Sequence, residues 1–146
     1  MGVTMSRNEH EKDPSKYYLT SELNNTKIVD CVYSMNIYNS QQITQFYCNT
    51  IDSHGFVVFQ TIGSSTNTFI CHLSGFPNQL YISTEKTTWN PNSRDVHSCD
   101  LSVESLLNFN SDFAKRFGAY DVKTNNCQTF ATQLSSFLYV SDYSNI

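Results

Sequence analysis

One cysteine and two histidines, Cys127, His54 and His72, are the side chains of this sequence best placed by their neighbours to do nucleophilic chemistry. Cys127 sits in the run Tyr120-Asp121-Val122-Lys123-Thr124-Asn125-Asn126-Cys127-Gln128-Thr129-Phe130-Ala131, a polar turn that leads into an apolar repeat. Counting on from Cys127, the apolar positions are Phe130, Ala131, Leu134, Phe137 and Leu138, the spacing of a helix with one buried face. The sequence predicts Asn125 as N-cap, with Gln128 reaching back as in a capping box. A thiol in the first turn of such a helix feels the positive end of its dipole, which favours the thiolate and can draw the pKa from about 8.5 toward neutrality. The plainer role for Cys127 is that of a small buried hydrophobe.

A thiol nucleophile needs a base within hydrogen-bond reach and a third group that orients the base. His54 opens a strand, His54-Gly55-Phe56-Val57-Val58-Phe59-Gln60-Thr61, rich in aromatic and β-branched residues. The turn formers Gly63 to Asn67 follow, then a second strand, Thr68-Phe69-Ile70-Cys71-His72-Leu73, ended by Ser74-Gly75. This is a β-hairpin carrying two histidines. With the turn centred on Ser64 and Ser65, His72 falls opposite Val57, and a bulge or one-residue slip is needed to bring both imidazoles to one face. His54 is the candidate base and His72 the candidate orienter, with Gln60, on the His54 face, as the alternative orienter. Backbone N–H groups at the helix start, that of Cys127 included, are candidates for an oxyanion hole, and Asn126 for an oxyanion or positioning role. A histidine at a strand end is otherwise an ordinary hydrogen-bonded polar residue.

Taken together, the strand-opening His54, the Cys71-His72-Leu73-Ser74 segment and the Asn125-Asn126-Cys127 run resemble the lecithin:retinol acyltransferase-like (H-box/NC) proteins, a group of circularly permuted papain-like thiol enzymes. The similarity spans roughly Asp52 to Leu138, and its specific part is Asn-Asn-Cys-x-x-Phe. The resemblance implies catalytic Cys127, His54 and His72, a lipid acyl chain as substrate and no cofactor. PPPDE-type peptidases, which act on ubiquitin-like conjugates, share a similar Tyr-(x)n-Asn-Cys-x-x-Phe segment and imply an isopeptide substrate instead. Gln128-Thr129 stands where the first family commonly has an acidic residue and a histidine. Gly55 replaces a common aromatic, which weighs against lipid specificity, and the histidines are 18 residues apart, wider than the family spacing. These departures also keep open a binding module that has the fold without the reaction.

The elements needed to gather these residues fit one α+β domain. The chain has 146 residues, 39% hydrophobic and 14% aromatic, enough for a single core. Residues 1–16 are expected to be a flexible tail and residues 17–146 a single permuted papain-like domain. Strands are predicted over Lys27 to Tyr38, Ile43 to Cys48 and Gln79 to Thr84. Lys86 to Asp100, with Trp89, Pro91 and His97, reads as a loop. Ser102 to Phe117 reads as a helix striped by Leu106, Phe109, Phe113 and Phe117 and ended by Gly118. The predicted architecture is an antiparallel β-sheet packed against helices, with the nucleophile at a helix N-terminus.

Composition narrows the function classes. Five cysteines without a Cys-x-x-Cys pair disfavour a zinc ribbon or a disulfide framework and suit free thiols in a reducing compartment. A net charge of −4, with nine scattered basic residues, offers no footprint for nucleic acid. No apolar stretch reaches the length of a membrane span, no signal core opens the chain and no hydrophobic anchor ends it. The expectation is therefore a soluble, cytoplasmic protein whose contact with any membrane is peripheral. Asn24-Asn25-Thr26 matches a glycosylation acceptor that such a location leaves unused.

Overall fold

The computed structural model describes residues 21–33, 40–51, 54–63, 66–75, 79–88 and 96–144. The expected tail, the turn serines, Trp89 and Pro91 lie outside them. Six strands, β1 (Ile28–Tyr33), β2 (Gln42–Ile51), β3 (His54–Ile62), β4 (Thr66–Gly75), β5 (Leu80–Lys86) and β6 (His97–Ser102), form one sheet in the order β1-β5-β4-β3-β2-β6. Among the described residues, two α-helices, α1 (Val103–Arg116) and α2 (Cys127–Ser144), join it in an α+β fold.

The sheet is mixed, which corrects the antiparallel expectation. β2 to β5 form an antiparallel meander, and β6 adds antiparallel to β2. Three reversals make β5 run against β2. β1, which also runs against β2, must then lie parallel to β5, as it does. The segment His97 to Ser102 is also a strand rather than the end of a loop. Its sequence lacks apolar alternation because it is an edge strand with only Cys99 buried.

One face of the sheet carries most of the core. Val57, Phe59, Phe69, Cys71, Leu73 and Ile82 pack with Leu106 and Phe113 of α1 and with Phe130, Ala131, Leu134 and Leu138 of α2. The predicted stripe of α2 is therefore its buried stripe, apart from the half-buried Phe137. A smaller cluster, Tyr47, Phe56, Val58 and Ile70, forms on the other face. Among the described residues, no helix is long and apolar enough to cross a membrane.

α1 begins at Ser102, whose hydroxyl accepts from the Ser105 amide at 3.2 Å, and ends before Gly118, which takes the left-handed conformation (φ 78°) that a glycine adopts without strain. Its stripe includes a polar residue. Asn110 is fully buried, and its Nδ2 donates to Thr84 Oγ1 at 3.1 Å and lies 3.5 Å from Cys71 Sγ. Thr84 Oγ1 in turn donates to Cys71 Sγ at 3.2 Å, and Cys31 Sγ donates to the Asn110 carbonyl at 3.5 Å. This network ties α1 to three strands. Burial pushes the Cys71 thiol up to about 12 and the Cys31 thiol up to about 11, so both are held as neutral donors and acceptors. Replacing Asn110 with alanine strands buried partners, and urea denaturation is expected to show a loss of about 2 to 3 kcal/mol.

Candidate active site

The turn that leads into α2 is built by asparagines and one aspartate. Asn125 Nδ2 donates to the carbonyls of Phe117 and Ala119, each at 2.9 Å, and Asn25, on the facing segment, takes a left-handed conformation (φ 72°). Asp121 accepts from the amides of Lys123 and Thr124 through Oδ1, at 2.8 and 3.0 Å, and these bonds hold its carboxyl below the usual range. The Asn25 amide donates to the Tyr120 carbonyl at 2.9 Å, and the Tyr120 amide to the Thr26 carbonyl at 2.7 Å. Asn24, the acceptor-like asparagine, uses its Oδ1 to receive the Val122 amide at 2.8 Å. The entry to α2 is thus fixed from both sides.

Asn126, not Asn125, caps α2. Its Oδ1 accepts from the amides of Gln128 and Thr129, at 2.9 and 3.2 Å, and Thr129 Oγ1 accepts from the Asn126 amide at 3.0 Å. The reciprocal pair of a capping box is therefore Asn126 and Thr129 rather than the predicted Asn125 and Gln128. Asn126 Nδ2 donates to the Val122 carbonyl at 2.9 Å, so both ends of this amide are engaged in positioning the helix start. Removing the cap with Asn126→Ala is expected to lower stability by about 1 to 2 kcal/mol in urea denaturation.

The two histidines are in direct contact. His54 Nε2 and His72 Nδ1 are 2.8 Å apart, their rings meet edge to face, and both residues are fully buried. The hairpin register makes this pairing. Val57 stands opposite Cys71 and Val58 opposite Ile70, one residue away from the predicted register. That slip carries His54, Phe56 and Val58 to the same face as Ile70 and His72, the face opposite the one on which α2 packs. His54 also stacks on Phe56. Gln60 is not brought to the pair. Six residues along the strand, it bonds Gln45 and, at 3.2 Å, Thr68, while His54 Nε2 meets His72.

Cys127 is the first residue of α2 and is 4% exposed. The backbone amides of Gly55, Gln128 and Cys127 itself lie close enough to its sulfur to favour the thiolate, Gly55 most. The first of these belongs to the residue after His54, so the sulfur docks at the opening of β3. Burial outweighs the three amides and pushes the thiol up, against the expected drop toward neutrality. Burial likewise lowers the His54 imidazole to about 4. The resting site therefore holds a thiol and a neutral imidazole. Tyr120, 2% exposed, is near enough for the Cys127 charge to add to the burial that raises its phenol, which stays protonated. Sequence reasoning overlooked Tyr120 as a neighbour of the thiol and read Gly55 only as a departure from a family pattern.

Comparisons with protein-family models, with curated proteins and with solved structures give no match for this chain.

Proposed function

We propose that the protein is a thiol-dependent hydrolase or acyltransferase that forms a thioester on Cys127, on a circularly permuted papain-like fold. The observation that carries this reading is the buried His54–His72 pair, held at 2.8 Å, beside a strand amide that reaches the Cys127 sulfur. Two buried imidazoles in mutual contact contribute little to packing that two apolar side chains would not, whereas a general base with its orienter requires them.

In this mechanism His54, its Nε2 directed at His72, is the group that takes the thiol proton. The sulfur attacks an acyl carbonyl carbon, the imidazolium returns the proton to the departing alcohol or amine, and a thioester remains. Water, or a second alcohol or amine, then attacks that thioester with His54 again as base, and the Cys127 thiol is restored. Because the resting pair is neutral, proton transfer accompanies attack rather than preceding it. The resemblance to the H-box/NC proteins favours an acyl ester of a lipid, and that to PPPDE-type peptidases an isopeptide.

A second reading, a binding module without turnover, is favoured by one observation: a thiol only 4% exposed. Incubation with acyl-thioesters, short-chain p-nitrophenyl esters and ubiquitin-like conjugates separates the two. The enzyme acquires a hydroxylamine-sensitive acyl adduct on the Cys127 peptide by mass spectrometry, and Cys127→Ser does not. Wild-type protein that remains unmodified across the set overturns the enzymatic reading in favour of the module.

A further inference from the structure

Gly55 is the one glycine of β3, and it faces the first turn of α2. A β-carbon built there would lie 3.0 Å from the Gln128 α-carbon, 3.2 Å from the Ala131 β-carbon and 3.3 Å from Gln128 Cγ. Contacts this short are tighter than nearly all that β-carbons make, so the neighbours would have to give by a few tenths of an ångström, and the nearest atom is helix backbone. Strand and helix therefore meet at a distance that favours glycine. No conformational reason accounts for the glycine, because among the described residues the positive-φ glycine is Gly118. The close approach itself is the reason.

We propose that Gly55 is the positioning residue of the Cys127 thiol: lacking a side chain, it lets the helix start close on β3 until its own amide hydrogen-bonds the sulfur. This rests on the thiol-enzyme reading for its purpose, and it adds a role for a residue outside the Cys–His–His set. The aromatic that the H-box/NC resemblance would place at this position does not fit against Gln128 and Ala131. The titrating neighbour of the sulfur is Tyr120 from the turn, and His54 adjoins Gly55 along β3. Gly55 contributes a fixed dipole that does not titrate. A developing thiolate gains from such a donor without any rearrangement.

Two measurements test it. In ¹⁵N-labelled wild-type protein, the Gly55 amide resonance is expected to move as Cys127 ionises or is alkylated, and to stay still through the same treatment in Cys127→Ala. In Gly55→Ala, the alkaline midpoint of Cys127 alkylation by iodoacetamide, followed on the Cys127 peptide, is expected to rise by about one pH unit. Pairing that change with Ala131→Gly, which removes the 3.2 Å contact, is expected to recover part of the shift. A Gly55 amide indifferent to the state of Cys127 overturns the proposal even if Gly55→Ala fails to fold, and so does an unmoved midpoint in a folded variant. Absence of turnover in the wild type would sink the enzymatic reading alone, since neither measurement depends on turnover.

Discussion

Replacing His54 with alanine is expected to lower kcat/KM for Cys127-dependent ester or thioester cleavage by about 10³-fold, the contribution of a well-placed general base. The magnitude follows from the neutral resting site. With the thiol pushed up and the imidazole held at about 4, little free thiolate exists near pH 7, so nearly all attack needs the base to remove the proton as the bond forms. His72→Ala is expected to lower it as well, because His72 acts through the tautomer and orientation of His54 and touches no reacting atom. Steady-state kinetics on the best substrate of the panel check both. Equal, small losses for the two variants would identify the pair as a packing feature.

The second large effect is on stability in acid. An unfolded chain binds a proton at His54 once the pH falls through about 6.5, whereas the folded chain resists protonation until about 4. Above that window both states are neutral at this site and His54 exerts no pH dependence. Within it the unfolded state alone gains the proton, so folding stability falls with pH by about 1.4 kcal/mol per unit and about 3 kcal/mol in all. Urea denaturation at intervals from pH 7 to 4 is expected to show a steeper loss for wild type than for His54→Gln, whose side chain does not titrate. Parallel curves would mean that the imidazole is accessible to protons in the folded state.

Much of this was legible in the sequence, and the misreadings share a cause. The α2 stripe was legible because its 3.6-residue period is local and each apolar position faces the core. The cap was misplaced by one residue because two adjacent asparagines have equal capping chemistry, and only the fold assigns one to the helix and the other to the carbonyls of Phe117 and Ala119. The hairpin slipped by one because Gly63 to Asn67 offers several equivalent turn centres. That single step decides whether His54 and His72 share a face. Parallel pairing of β1 with β5 leaves no local mark, since it joins residues about fifty positions apart.

The environment of the thiol was the least legible of all. A helix start can be read from sequence, and with it a dipole that lowers a thiol pKa. How deeply the thiol is buried depends on β3, α2 and the turn at Tyr120 closing together, and here burial outweighs the dipole. Gly55 shows the same limit. In the sequence it is a missing aromatic, and in the fold it is the contact that lets Gln128 and Ala131 reach the sheet.

The account stands or falls on whether Cys127 and His54 act as one unit, and the pH dependence of Cys127 alkylation reports that directly. A coupled pair gives a two-step profile: a low plateau that begins as the imidazole loses its proton, near pH 4, followed by an alkaline rise as the thiol itself ionises. His54→Ala is expected to abolish the plateau and keep the rise. A wild-type profile with a single alkaline step, unchanged by His54→Ala, would contradict the account.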